Sequence, residues 1–122
     1  MDTEVKALIK SKAELLLNAI KNNRVIRLKH SFSKDNHPRY LPIMHKGSNQ
    51  IVKCKGKIKS WTYVGCSIVN DLYSCKYLIN FDKGEPCMIF IYLDQDNMNY
   101  IRFDFLGEQS LISRHLEMAE ID

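Results

Sequence analysis

Histidines, cysteines and a run of alternating lysines are the residues of this 122-residue chain whose types and spacing could do chemistry. His37 and His45 share the stretch SKDNHPRYLPIMHKGSNQ, residues 33–50, with Arg39 and Lys46. Two imidazoles can cleave RNA without a metal: one accepts a proton, the other donates one, and a nearby cation steadies the phosphate. That remote ribonuclease reading is the one place where the sequence offers an enzyme. His30 reads instead as a satisfied strand histidine, and His115 as a helix-face residue near the core.

Cys54, Cys66, Cys75 and Cys87 form no CxxC pair and have no metal-like spacing. Each falls inside or at the start of a predicted strand, so they read as reduced core residues. Disulfides would require an oxidising compartment. Asp94 and Asp96 begin like a calcium loop, but Met98 stands where an oxygen ligand is needed and Asn99 where the sharp-turn glycine belongs. A polar hairpin turn is the better account. Asp104 and Glu108 read as solvated acids at a strand end. No phosphate loop, dinucleotide fingerprint, HExxH or nucleophile elbow is present. The sequence therefore names no catalytic residue, metal ligand or cofactor, and a non-catalytic protein is favoured.

The strongest pattern is IVKCKGKIKSWTY, residues 51–63, with Lys53, Lys55, Lys57 and Lys59 at intervals of two. Val52, Cys54, Gly56 and Ile58 alternate with them, which predicts one amphipathic strand with a basic outer row. A two-residue hairpin at Lys55-Gly56 would pair Cys54 with Lys57 and Lys53 with Ile58, mixing core with solvent. A continuous strand, bulged at most at Gly56, is expected. By the same parity Val64, Cys66 and Ile68 belong inside, and Trp61 and Tyr63 extend the basic row. A bend near Lys59-Ser60 keeps the rings in that row; a turn with an odd residue count swings them inward.

These residues need elements to hold them. Residues 4–21 read as a helix capped by Asp2 or Thr3 and stopped by Asn22-Asn23. A strand is predicted over 24–32, with Arg27 and Lys29 on its polar face. Pro38 and Pro42 leave residues 33–50 a long loop with a short edge strand over 39–43. Strands follow over 75–81, 87–93 and 101–105, separated by turns at Asn70-Asp71, 82–85 and 94–99. A closing helix is expected over 109–120. The assembled expectation is one α+β domain over 1–122: a mostly antiparallel sheet of about five strands with an N-terminal and a C-terminal helix.

Charge is segregated. Residues 1–61 hold fourteen Lys and Arg against four acids, and residues 62–122 hold four against ten. No signal peptide and no membrane-length apolar run is seen, so a cytoplasmic protein without a membrane partner is expected. LLNAIKNNRVIRLKH, with Arg39 and Pro42 after it, resembles the opening of WYL-type ligand-sensing domains. Those begin with a helix ending in Ala-Ile, a strand and a basic-proline step. This chain has Trp61-Thr62-Tyr63 rather than the Trp-Tyr-Leu triplet. The resemblance implies sensing of nucleotide-like or nucleic-acid ligands.

The first expectation is a small inhibitor, immunity protein or adaptor that meets an acidic protein through Lys53, Lys55, Lys57, Lys59, Arg27, Lys29 and Arg39, with Trp61 and Tyr63 as anchors. The alternative is single-stranded RNA or DNA tracked by the same lysines, with Trp61 and Tyr63 stacking on bases.

Overall fold

The computed structural model describes residues 1–33 and 37–106, in the order α1 (Thr3–Lys21), a 3-10 helix (Val25–Ser31), α2 (His37–Lys55), β1 (Ile58–Val69), β2 (Leu72–Phe81), β3 (Cys87–Asp94) and β4 (Tyr100–Leu106). The strands form an antiparallel meander in the order β1-β2-β3-β4.

Helix α1 forms as its sequence predicts. Asp2 accepts a hydrogen bond from the Glu4 N–H through its carboxylate, satisfying one donor of the first turn. Asn23, with φ of 55°, ends the helix in the left-handed conformation that asparagine tolerates. Ile9, Ala13, Leu16, Leu17 and Ile20 make its buried stripe.

The sheet follows the sequence just as closely from β2 onward. Asn70 and Asp71 both have positive φ, at 49° and 63°, and join β1 to β2 in the two-residue hairpin such residues favour. Gly84 supplies positive φ between β2 and β3. Between β3 and β4 the Asp94 carboxylate accepts from the backbone N–H groups of Asp96 and Asn97. Its acid is a turn device, which is what the truncated calcium-loop pattern encodes. One face of the sheet carries Trp61, Ile79 and Cys87 in one row, Tyr63, Tyr77, Ile89 and Phe105 in the next, and Cys66, Cys75, Ile91 and Phe103 in the third. This inner face joins the α1 stripe, Val25, Phe32 and Leu41 in a single hydrophobic core.

Three predicted elements are corrected. The strand over 24–32 is a 3-10 helix, so the strand step of the WYL resemblance is not met. Val25 is buried and Leu28 packs on the core, at the three-residue spacing of that helix, while Ile26 is exposed. The long loop and its edge strand over 39–43 are replaced by α2. Pro38 sits in the first helical turn, where its missing N–H costs nothing, and Pro42 lies inside the helix at the cost of one backbone hydrogen bond. Leu41, His45, Ser48 and Ile51 give α2 its inward side at helical spacing.

The third correction concerns the lysine strand over 51–59. Helix α2 runs through Lys53 to Lys55, the chain reverses at Gly56 with φ of 80°, and β1 begins at Ile58. The alternation of lysines therefore records no common face. Four strands are present among the described residues, where about five were expected. The closing helix expected over 109–120 lies outside them.

Candidate functional site

The last turn of α2 carries Lys53 and Lys55, where cationic side chains meet the negative end of the helix dipole. Gly56 caps it, its N–H donating to the Val52 carbonyl at 2.8 Å. A Cβ on Gly56 would lie 3.0 Å from the Asp82 Cβ, so both the positive φ and the close approach call for glycine. The corner is then stitched to the turn after β2. The Asp82 N–H donates to the Lys57 carbonyl at 3.0 Å, the Lys83 N–H to the Lys55 carbonyl at 2.9 Å, and the Lys55 ammonium to the Glu85 carbonyl at 2.9 Å.

Lys53, Lys57 and Lys59 are exposed at this corner, and Lys55 is half-buried. Lys83 is exposed beside them, with Asp82 and Glu85 as the acids of the same turn. Among the described residues no ion pair engages Lys53, Lys57 or Lys59; the pair present joins Arg102 to Asp104 across 3.5 Å. The four lysines thus stay neighbours in the chain at one corner, contributed by a helix end, a turn and a strand start.

The other predicted contacts are dispersed. Arg27 and Lys29 are exposed on the 3-10 helix. That helix leads into Ser33, whose N–H donates to the Tyr100 carbonyl at the start of β4. Tyr100 pairs with Leu93, whose other partner is Tyr73, at the far end of β2 from Asp82. At about 3.3 Å per strand residue the two ends are about 30 Å apart. Arg39 belongs to the first turn of α2, about 21 Å from Lys53 along the helix axis.

Trp61 and Tyr63 swing inward. A register shift between Ile58 and Ser60 makes Lys59 an extra residue in β1 and resets the parity that the lysine pattern implied. Trp61 packs against the core. The Tyr63 ring meets Tyr77 edge-on at 5.6 Å between centroids, and the Lys10 ammonium lies 4.6 Å from its centre. Both aromatics are committed to packing.

His37 and His45 sit eight residues apart on α2, about 12 Å along its axis, so the backbone does not bring them to one phosphate. His45 approaches Asn49 at 3.4 Å through Nε2, while its buried Nδ1 has no hydrogen-bond partner. His30 is exposed on the 3-10 helix rather than held in a strand, and His115 lies outside the described residues. Among the described residues no group of three or more His, Cys, Asp and Glu side chains is gathered for a metal. No helix among them is long and apolar enough to cross a membrane.

Sequence spacing did not reveal the meeting of Cys66 with Cys75. They are direct partners across β1 and β2 on the inner face. Cys66 Sγ also lies 3.7 Å from Met1 Sδ. Burial pushes both thiols up, Cys75 to about 12. No family model, curated protein or solved structure matches the chain.

Proposed function

We propose that this protein is a small non-catalytic binding module, of the inhibitor, immunity-protein or adaptor type, that docks an acidic protein through the corner between α2 and β1. The observation that carries the reading is the set of three exposed lysines, Lys53, Lys57 and Lys59, free of ion pairs and mounted on a backbone corner fixed by cross-linking hydrogen bonds. Fixed cations of one sign speed encounter with an acidic surface and disfavour basic partners. Holding the backbone in place reduces the ordering cost of association. Arg27, Lys29 and Arg39 stand away from this surface, and Trp61 and Tyr63 support it from within rather than anchor the partner.

The inward turn of Trp61 and Tyr63 favours a protein over single-stranded nucleic acid, which would need those rings as stacking platforms. The test is capture from native extract by the wild-type chain and by the variant K53E/K57E/K59E, with and without nuclease. A protein retained after nuclease treatment, released by salt and lost with the triple variant supports the reading. Retention of RNA or DNA with a steep salt dependence, or capture indifferent to the three reversals, overturns it.

A further inference from the structure

The N-terminus, β1 and β2 bring three sulfur atoms to one place. Cys66 Sγ and Met1 Sδ are 3.7 Å apart. Two sulfurs bound to one ion at about 2.3 Å each, at angles between tetrahedral and trigonal, stand roughly 3.8–4.0 Å apart. Cys75 is directly opposite Cys66 in the antiparallel register. The Cβ atoms of such partners are about 4.5–5.5 Å apart, close enough for both thiols to reach one ion. Cys75 is fully buried, Cys66 is partly exposed and Met1 is 48 % exposed, so the cluster has a closed floor and an open mouth.

We propose that Met1, Cys66 and Cys75 form a binding site for a soft monovalent metal ion, with Cu(I) as its representative. Thiolate and thioether ligands select such ions, whereas zinc favours four nitrogen, oxygen or thiolate donors. On binding, two S–H bonds are replaced by two metal–sulfur bonds, the thioether donates a lone pair, and two protons pass to solvent. No electron is transferred. The bound unit carries one net negative charge. Lys6 and the N-terminal ammonium act on Cys66 in the direction that favours its anion. Glu14 acts on Cys75 from the side of α1 and opposes a bare thiolate there, which an arriving cation would offset. The site is separate from the lysine corner and does not depend on the docking reading.

The test is titration of the full chain with Cu(I) against a competing Cu(I) chelator, under a non-thiol reductant and without oxygen. One equivalent should bind, and X-ray absorption at copper should show a shell of three sulfurs. C66S should weaken binding at least about 100-fold by removing a thiolate, and C75S should do the same. Met1→Leu, released from a cleavable fusion so that no other methionine precedes it, should weaken binding about tenfold. C54S, on the exposed end of α2, should change nothing. Affinity should fall about 100-fold for each unit of pH lowered, because two protons compete with the ion. If C75S fails to fold, C66S and Met1→Leu still decide, since both positions are partly exposed. Binding unchanged in C66S, equal affinity for Zn(II), or a Cys66–Cys75 disulfide in a chain that retains no Cu(I) overturns the proposal. No effect of Met1→Leu overturns the three-sulfur site.

Discussion

The Tyr77 hydroxyl, on the inner face of β2, donates a hydrogen bond of 3.2 Å to the Glu14 carboxylate on α1. It is a polar tie between the first helix and the sheet, set beside a fully buried thiol. A double-mutant cycle with Tyr77→Phe and Glu14→Ala should show a coupling energy of about 1 kcal/mol in denaturant unfolding. Additive losses would mean that the two groups do not bond.

Alkaline pH should destabilise the fold. Burial raises Cys75 from 9.0 to about 12 and pushes the Tyr77 and Tyr100 hydroxyls well above their usual value of 10.0. The folded state holds these protons more tightly than the unfolded chain does. Stability is therefore complete below about pH 9 and falls as pH rises through the folded values. Melting temperatures measured from pH 8 to 11 should decline, and Cys75→Ala should flatten the first part of the decline. A melting temperature that rises above pH 9 would contradict this origin.

Two glycines should respond in opposite directions. Gly47 lies within α2, and an added Cβ would meet no atom within 4 Å. Gly47→Ala should therefore stabilise by about 1 kcal/mol, through helix propensity alone. Gly56→Ala should destabilise by about 1 kcal/mol or more, because its left-handed φ and the Asp82 side chain both resist a Cβ. Chemical denaturation of the two variants compares them directly.

The phase of α1 can be checked with adjacent leucines. Leu16 is fully buried and Leu15 is 51 % exposed. Leu16→Ala should cost about 2–5 kcal/mol in unfolding free energy, and Leu15→Ala less than about 0.5 kcal/mol. Equal losses would place the helix in another rotation.

The elements legible in the sequence were those whose local signals agreed with their packing. Helix α1 has a cap, a stripe and a stop; β2 lies between Asn70-Asp71 and Gly84, which accept positive φ, and β3 ends at the Asp94 turn. The segment from 24 to 59 misled because period-two alternation occurred by composition alone. In α2 the inward side includes His45 and Ser48, and two prolines lie near its start, so hydrophobic spacing could not announce a helix. Lysines at every second residue matched a strand, yet a reversal at a single glycine divides them among a helix end, a turn and a strand start. The exposed cations were visible from residue type; their common corner, and the exclusion of Arg27, Lys29 and Arg39 from it, required the topology. The encounter of Cys66 with Cys75 depends on strand register, which cysteine spacing alone does not encode.

The register of β1 shifts a second time between Tyr63 and Gly65, leaving Val64 as a supernumerary residue that is 53 % exposed. Strict alternation would send Cys66 to the opposite side from Tyr63; the insertion makes them neighbours facing α1. Removing Val64 would close the bulge and leave every downstream residue on the side it now occupies, with Gly65 opposite Lys76 and Cys66 opposite Cys75. The thiol meeting place should thus survive a one-codon deletion at 64, because that residue holds no place in the pairing.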